Sequence, residues 1–186
     1  MIDFVNLPNY RFTDEQLEEF LIFAICVANK SAATIAPRVD RFCNLYEGSP
    51  LGGLVNVSRR RIQSMLRRQG VGCHELKSHG IKAASSALQK GLSLRTCTPE
   101  ELESLPAIGP KTSRFFILHS RPGARHAVLD THLLKFLREA GHDVPSTTPK
   151  SCSRYDALER VVLRYADLAR MTAAEFDIKK WKSYAL

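Results

Sequence analysis

The sequence predicts an all-α fold, and two observations support this prediction. Stretches in which apolar and polar residues alternate, as they do in strands, are rare, whereas signals that start helices recur along the chain. Hydrophobic residues make up 44% of the 186 residues, which is enough for a sizeable core. No internal repeat and no convincing interdomain linker interrupts the pattern, so we expect a single unit of packed helices.

The N-terminal half begins with a capping box. Thr13 and Gln16 have the residue types and the spacing of this motif, and apolar residues follow at helical intervals. The prolines and glycines between residues 49 and 56 predict a turn or loop. The other predicted helices of this half cover residues 32–46, 58–69 and 82–90.

The C-terminal half begins with a second capping box, in which Thr98 and Glu101 flank Pro99 at the first helical position. A short helix is predicted to follow as far as Leu105. Further helices are predicted over residues 111–120, from Asp130 to a stop at Gly141, over residues 154–170, and as a final turn or short helix after Thr172.

The charge balance favours a polyanionic partner. The formal net charge is +8, from 27 basic and 19 acidic residues, and each phosphate that a basic residue neutralises releases a counterion. The five cysteines include no CxxC pair and no spacing typical of a zinc site. No signal peptide opens the chain, and the longest apolar run, residues 20–27, is far shorter than the about 20 residues of a membrane span. We therefore expect a cytoplasmic protein with reduced thiols.

Residues 105–112, Leu-Pro-Ala-Ile-Gly-Pro-Lys-Thr, predict a tight hairpin between two helices. Gly109 is free to take the positive φ that such a turn requires. The first amides of the second helix then point outward without partners, with the positive end of the helix dipole behind them. Such a helix start binds phosphate. The same residues are also compatible with an ordinary αα-hairpin that binds nothing.

Lys111 and Asp130 are the candidate catalytic residues. Lys111 lies in the first turn of the helix after the hairpin, where the dipole disfavours a positive charge and so favours the nucleophilic neutral amine. Asp130 follows 19 residues later. The helix carries the chain about 13 Å away, and residues 121–129 can span about 30 Å on the way back. Asp130 can therefore return to Lys111, and its position also makes it an N-cap.

These residues carry a family resemblance. The hairpin sequence, together with Val-Leu-Asp-Thr-His at 128–132, resembles the helix-hairpin-helix (HhH-GPD) DNA glycosylase superfamily, which includes endonuclease III and the 8-oxoguanine DNA glycosylases. The resemblance implies a two-lobed all-α fold with the active site in the cleft between the lobes, where a base flipped out of the duplex is received. The central lobe is expected to cover residues 30–125, with the hairpin at 98–120, while residues 1–29 and 126–186 form the second lobe.

The resemblance also implies a chemistry. A lysine at the position of Lys111 marks the bifunctional branch, in which the amine attacks C1′ of the damaged nucleotide and forms a Schiff base before β-elimination nicks the strand. Asp130 is implied to orient the nucleophile and to stabilise the positively charged sugar. The implied DNA contacts of the hairpin and of the helix after Asp130 are Ile108, Gly109, Thr112 and His132.

Two features narrow the prediction within the superfamily. Relatives of the endonuclease III type hold an iron–sulfur cluster on four C-terminal cysteines, whereas only Cys152 follows residue 132 here, so no such cluster is expected. Residues 24–32 resemble a helix end of the small prokaryotic (type 2) 8-oxoguanine DNA glycosylase/AP lyases. Asn29 matches the asparagine with which those enzymes fill the gap left by the flipped base and contact the orphaned cytosine.

The sequence therefore predicts a bifunctional DNA glycosylase/AP lyase of base excision repair that excises 8-oxoguanine. We expect a cytoplasmic, nucleoid-associated monomer whose partner is double-stranded DNA with a damaged base. Three alternatives stay open: the same chemistry on an oxidised pyrimidine or a hypermodified purine, a non-catalytic module that binds DNA through its hairpin, and an all-α scaffold for protein contacts. No cofactor is expected beyond a structural Na⁺ or K⁺, which relatives often hold on hairpin carbonyls, here those of Leu105, Ala107 and Ile108.

Overall fold

Ten helices make up the regular structure of the described residues, among which no strand occurs. A computed structural model describes residues 3, 7–28, 30–149 and 151–185, and it confirms the predicted all-α fold. None of the described helices combines the length and the apolar character that crossing a membrane requires. In chain order the helices are α1 (Asp14–Val27), α2 (Ala32–Cys43), α3 (Pro50–Gly53), α4 (Arg59–Arg68), α5 (His74–Gln89), α6 (Pro99–Glu103), α7 (Pro110–Ser120), α8 (Thr131–Glu139), α9 (Cys152–Leu168) and α10 (Ala173–Ala185).

The capping boxes predicted from the sequence start their helices in the structure. Thr13 Oγ1 accepts from the Gln16 amide at 3.3 Å, and the Gln16 side chain accepts in return from the Thr13 amide at 2.9 Å. Thr98 and Glu101 form the same reciprocal pair at the start of α6. Each pair satisfies backbone donors that helix geometry leaves without an intrahelical acceptor.

Three elements differ from their predicted extents. The predicted loop at 49–56 contains α3, which begins because Ser49 Oγ accepts from the Gly52 amide and Pro50 occupies the first helical position. α5 begins at His74, well before the start that its pattern predicted. α10 extends the predicted final turn to 13 residues, because its apolar side chains pack on other helices of the C-terminal half rather than on a local neighbour.

The first of two compact units contains Arg11–Gly109. Its central element is α1, whose residues 20–26 are all buried and which packs on α2, α3 and α5. The buried carboxylate of Glu18 accepts from the Ser49 hydroxyl at 2.7 Å and from the Leu51 amide at 2.8 Å. These charge-assisted hydrogen bonds attach α3 to α1.

α5 lies against the hairpin that follows α6. A Cβ built at Gly80 would lie 3.0 Å from the Pro106 carbonyl oxygen and 3.3 Å from the Ala107 Cβ. Glycine is needed at this point of α5, although it weakens a helix interior by about 0.5–1 kcal/mol relative to alanine. The close approach supports the hairpin on the buried side of a 16-residue helix.

The second unit contains Leu7–Tyr10 and the chain from Pro110 onward. α10 packs on α7, α8 and α9, and the core of this unit includes the fully buried Leu137 and Tyr155. The Phe136 and Phe176 rings meet edge-on with their centroids 5.7 Å apart, an arrangement that favours aromatic pairs beyond the area they bury.

The two units divide the chain differently from the two predicted lobes. The prediction grouped residues 1–29 with residues 126–186, whereas α1 packs with α2 and α5 in the first unit. It also grouped residues 110–125 with the central lobe, whereas α7 packs with α10 in the second unit. α1 is buried on nearly all sides and needs neighbours around it. Local sequence patterns do not identify those neighbours.

Candidate active site

The hairpin occupies the turn between α6 and α7. The Ile108 amide donates to the Leu105 carbonyl at 3.3 Å and closes the turn. Ala107 takes the positive φ, at 65°, and Gly109 does not, so the prediction that Gly109 adopts the left-handed conformation is wrong. The chain has to reverse before Ile108 can direct its amide back to Leu105, which places the left-handed residue at 107. Alanine adopts this conformation at a cost of about 1–2 kcal/mol.

Gly109 is exposed and leaves the space in front of α7 open. No described heavy atom lies within 4 Å of a Cβ built at this position. A glycine with an ordinary φ and open surroundings is not explained by packing inside the protein. It does suit the close approach of an external group to the amides at the start of α7.

Lys111 is the second residue of α7 and is half-buried. The first residue is Pro110, which has no amide hydrogen, and the next amides have no acceptor within the helix. The Ser113 hydroxyl donates to the Pro110 carbonyl at 3.0 Å. The start of α7 therefore presents a lysine beside amides that the helix leaves unpaired, at the positive end of its dipole.

Asp130 is the N-cap of α8. Its Oδ1 accepts from the His132 amide and from the Leu133 amide, both at 2.9 Å. Oδ2 makes no hydrogen bond with any residue that the structure describes. One carboxylate oxygen thus fixes the orientation of the side chain, and the other is left for a ligand.

The groups around Asp130 shift the pKa of its carboxyl in opposite directions. Burial raises the pKa of this carboxyl above its usual value, and the nearby charge of Asp177 raises it further. The hydrogen bond from the Leu133 amide and the positive charges of Lys111 and His132 lower it. Together, these groups raise the pKa of Asp130. Lys111 is thus close enough to Asp130 for its charge to favour the carboxylate.

Residues 127–129, which lead into Asp130, are held by hydrogen bonds on both sides. The buried Tyr155 hydroxyl donates to the Ala127 carbonyl at 2.8 Å and accepts from the Leu129 amide at 3.1 Å. Glu159 Oε1 accepts from the Ala127 amide at 2.8 Å, and the Thr148 hydroxyl donates to the Leu129 carbonyl at 2.7 Å. We call Tyr155, Glu159 and Thr148 the backbone clamp. It replaces the strand or helix hydrogen bonds that an extended segment lacks.

Arg114 of α7 supports the backbone clamp. Its guanidinium lies over the Tyr155 ring, 4.9 Å from the centroid. It also lies 3.7 Å from Glu159 Oε1 and 3.3 Å from Asp156 Oδ1. The arginine is buried, so these contacts are weakly screened by solvent. α7, which carries Lys111, and α9, which holds the segment before Asp130, are therefore joined by one buried cation.

A buried His119–Asp177 pair lies in the same unit. His119 Nε2 and Asp177 Oδ2 are 2.9 Å apart, and the histidine is fully buried. The pair connects the last turn of α7 to α10. The carboxylate of Asp177 is one of the charges that raise the pKa of Asp130, so α10 contributes to the electrostatics of the predicted catalytic residue.

The structure brings together part of the predicted site. Lys111, Asp130 and His132 lie in one unit, and the charges of the two basic residues act on Asp130. Ile108 and Thr112 are buried, whereas Gly109 between them is exposed. The roles of these residues in binding and catalysis stay predictions.

Asn29, also predicted to contact DNA, lies outside the described residues. Sequence reasoning missed the backbone clamp and the His119–Asp177 pair. The clamp residues lie 19–32 positions from the backbone groups they bind, so no local motif links them. The sequence offered only an indirect signal: a tyrosine or histidine that is buried usually forms a hydrogen bond with a polar group.

No protein-family model matches the chain. The 8-oxoguanine DNA glycosylase of Thermotoga maritima superposes with a TM-score of 0.75 at 22% identity, over 92% of this chain and 81% of that chain. The Methanocaldococcus jannaschii 8-oxoguanine glycosylase/lyase in complex with a 15mer DNA containing 8-oxoguanine has a TM-score of 0.74 at 17% identity, over 94% of this chain and 83% of that one. A further structure of the M. jannaschii 8-oxoguanine DNA glycosylase has a TM-score of 0.72 at 17% identity, over 94% of this chain and 80% of that one. This chain has the fold of the 8-oxoguanine DNA glycosylases.

The 8-oxoguanine DNA glycosylase fold includes both units of this chain, because the shared part covers at least 92% of its residues. At 17–22% identity, most side chains differ from those of the three glycosylases.

Proposed function

We propose that this protein is a bifunctional DNA glycosylase/AP lyase of base excision repair that excises 8-oxoguanine. The observation that carries the proposal is the combination of Lys111 at the start of α7 with a half-buried, oriented Asp130 whose charge interacts with it. A non-catalytic DNA-binding hairpin needs the helix start but has no use for this pair. The fold is that of 8-oxoguanine DNA glycosylases, and glycosylases as a class act on a base that is flipped out of the duplex.

In the proposed reaction, the Lys111 amine gives up a proton and attacks C1′ of the damaged nucleotide. The new N–C1′ bond forms as the glycosidic bond breaks, and the electron pair of that bond leaves with the base, which takes up a proton. The nitrogen then loses a proton, its lone pair forms the C1′=N bond as the C1′–O4′ bond breaks, and O4′ takes up a proton, which gives the protonated Schiff base. Removal of a C2′ proton then expels the 3′ phosphate by β-elimination and cuts the strand.

Asp130 stabilises the positive charge that develops on the sugar. Its Oδ1 is held by two amides, so Oδ2 can face the sugar without further reorientation of the side chain. Burial increases the strength of this interaction, because the local dielectric is low. The backbone clamp keeps the residues before Asp130 in place during the reaction.

Double-stranded DNA is the proposed partner, bound by a monomer in the cytoplasm. The first amides of α7 and the positive end of its dipole suit a phosphate, and the open space at Gly109 allows it to approach. One glycosylase with this fold was solved in complex with a 15mer DNA containing 8-oxoguanine. We further propose that a Na⁺ or K⁺ binds the carbonyl oxygens of Leu105, Ala107 and Ile108, since backbone oxygens are hard ligands that such ions accept. DNA affinity is then expected to depend on the identity of the monovalent cation at constant ionic strength.

Borohydride trapping tests the proposed function. Duplexes that contain 8-oxoguanine, thymine glycol or an abasic site are incubated with the protein in the presence of borohydride, which reduces the Schiff base, and the yield of covalent protein–DNA adduct is measured. We expect an adduct with 8-oxoguanine and with the abasic site. Lys111→Gln is expected to retain DNA binding and to lose both the adduct and nicking, whereas Lys179→Gln, which removes an exposed lysine of α10, keeps both.

The other outcomes select the alternatives. Trapping with thymine glycol and not with 8-oxoguanine would assign the same chemistry to an oxidised pyrimidine. DNA binding without an adduct on any duplex would make the protein a non-catalytic module. Full nicking by Lys111→Gln would mean that another nucleophile operates.

A further inference from the structure

We propose that the exposed face of α4 is a second DNA-binding surface, which contacts the phosphate backbone independently of the damaged base. This surface lies in the first unit, whereas Lys111 and Asp130 lie in the second. The proposal rests on the proposed function, because it assigns a further contact to the same DNA substrate.

The arginines of α4 share one side of the helix. At 100° per residue, Arg60, Arg61, Arg67 and Arg68 fall within about 120° of the helix circumference. All four are exposed, while Ile62 and Leu66 on the opposite side are fully buried, and α4 packs on α5. We call the four exposed residues the arginine face. None of them forms an ion pair with any residue that the structure describes.

The surroundings of the arginine face add positive charge and no negative charge from the adjoining sequence. No acidic residue occurs between Glu47 and Glu75. Two arginines of α2 reach the end of α4, since the Arg38 guanidinium donates to the Gly70 carbonyl and Arg41 Nε donates to Gln69 Oε1 at 3.2 Å. Guanidinium groups suit phosphate, because their planar donors form paired hydrogen bonds with its oxygens.

Helix stability does not explain the first arginines of α4. The helix begins with Arg59, Arg60 and Arg61 and has no acidic residue in its first turn. α1, α5, α6 and α10 instead have acidic residues there. Positive charge at a helix N-terminus opposes the dipole and is destabilising. Arg67 and Arg68, in the last turn, would be favourable on structural grounds alone, so the N-terminal arginines are the ones that indicate binding.

The spacing and shape of the surface fit a DNA strand. The N-terminal and C-terminal pairs of the arginine face lie about 10 Å apart along the helix, close to the rise of about three base pairs at 3.4 Å each. Between them, Arg61 and Arg68 line a cavity of about 360 Å³ together with Tyr46, Met65 and Gln69. The apolar and aromatic side chains of this lining suit the carbon surface of a deoxyribose, and its two guanidinium groups suit phosphates further along the same strand.

Salt-dependent binding to an undamaged duplex tests the proposal. Arg61→Gln/Arg68→Gln removes two charges from the arginine face. The control, Arg160→Gln/Arg164→Gln, removes two exposed arginines of α9. Each phosphate contact contributes about 0.9 to the slope of log K against log[salt]. We therefore expect the α4 variant to reduce the slope by about 2 and to weaken binding to damaged and undamaged duplexes by the same factor. The control should leave the slope nearly unchanged, and equal slopes for the two variants would overturn the proposal.

Single-turnover excision at saturating protein separates this proposal from the proposed function. We expect both double variants to react at the unaltered rate once DNA is bound. If wild-type protein gives no trapped adduct while the slope of the α4 variant still falls, the proposed function fails and the arginine face remains a DNA contact. If trapping succeeds and the slope does not change, the proposed function stands and the DNA contact of the arginine face is refuted.

Arg60→Glu provides a second, independent measurement. A carboxylate in the first turn of α4 is favourable for the helix, so this variant is expected to melt at a higher temperature than the unaltered protein while binding DNA more weakly. A lower melting temperature with unchanged DNA affinity would assign Arg60 a structural role and contradict the proposal.

Discussion

Asp130 combines a structural and a chemical task in one side chain. Oδ1 caps α8 through two amides, and Oδ2 stays without a described protein partner. The two tasks can be separated by substitution, because asparagine keeps a carbonyl oxygen for the cap and loses the negative charge, whereas alanine loses both.

Asp130→Asn is expected to slow base excision by at least about 100-fold, because the developing sugar cation loses its counter-charge. Its melting temperature should stay close to that of the unaltered protein. Asp130→Ala should be equally slow and also less stable by about 1 kcal/mol, since the N-cap is lost. Single-turnover rates and thermal unfolding measure the two effects. A mild effect of Asp130→Asn on the rate would leave this residue as a cap only.

The pH dependence of excision follows from the direction of the Asp130 shift. Burial and Asp177 raise the pKa of Asp130, so the active carboxylate is lost as the pH falls through that raised pKa. Asp177→Asn removes one of the charges that raise it and should shift the acidic limb of the rate profile to lower pH. The profile is measured under single-turnover conditions, with Asp167→Asn, an exposed partner of Arg125, as the control. An unchanged limb would show that Asp177 does not act on Asp130.

At the level of elements, α9 determines where the segment before Asp130 lies. Tyr155 and Glu159 are one helical turn apart and bind the same extended segment through Ala127 and Leu129. A tyrosine hydroxyl that both donates and accepts is difficult to replace, because its removal leaves two buried backbone groups without partners.

Tyr155→Phe tests this role. The ring and its contact with Arg114 remain, so we expect the protein to fold with a loss of about 1–3 kcal/mol. DNA affinity should be unchanged, and the excision rate should fall about 10- to 100-fold because Asp130 is less well positioned. Tyr165→Phe is the matched control, since its hydroxyl pairs with His142 at 3.0 Å elsewhere in the same unit. Equal excision rates for the two variants would show that the Tyr155 hydroxyl does not position Asp130.

The hairpin offers a pair of substitutions with opposite expected effects. Gly109→Ala adds a methyl group in open space at an ordinary φ, so the free energy of unfolding should change by less than about 0.5 kcal/mol. DNA affinity should fall, because the methyl group stands where a phosphate would approach. Ala107→Gly relieves a left-handed alanine and should raise the stability by up to about 1 kcal/mol without weakening DNA binding. Thermal unfolding and equilibrium DNA binding measure both variants, and a Gly109→Ala protein with unaltered affinity would exclude the hairpin as a phosphate site.

For the whole molecule, the sequence predicted what is encoded locally. The capping residues Thr13 and Thr98 start their helices as expected, because a cap depends on groups within one turn. Lys111 and Asp130 were identified from a short pattern, and the structure places them in one unit. The lobe boundaries differed from the observed units, since they depend on which buried faces meet across long separations.

The same distinction explains the errors at single residues. The left-handed residue of the hairpin is Ala107 rather than Gly109, because the chain reverses before Ile108, whose amide donates back to the Leu105 carbonyl. In the sequence, Tyr155 looks like any other residue on the apolar side of α9. Only the structure shows that its hydroxyl binds the backbone of residues 127 and 129.

The backbone clamp has a consequence for the order in which the protein is made. A nascent chain that has been translated only through α8 already contains Lys111 and Asp130, but Tyr155 and Glu159 are still to be added. The segment before Asp130 then lacks the hydrogen bonds that hold it in the finished protein. We therefore expect prematurely terminated translation products to be unable to excise a base, although they contain both predicted catalytic residues.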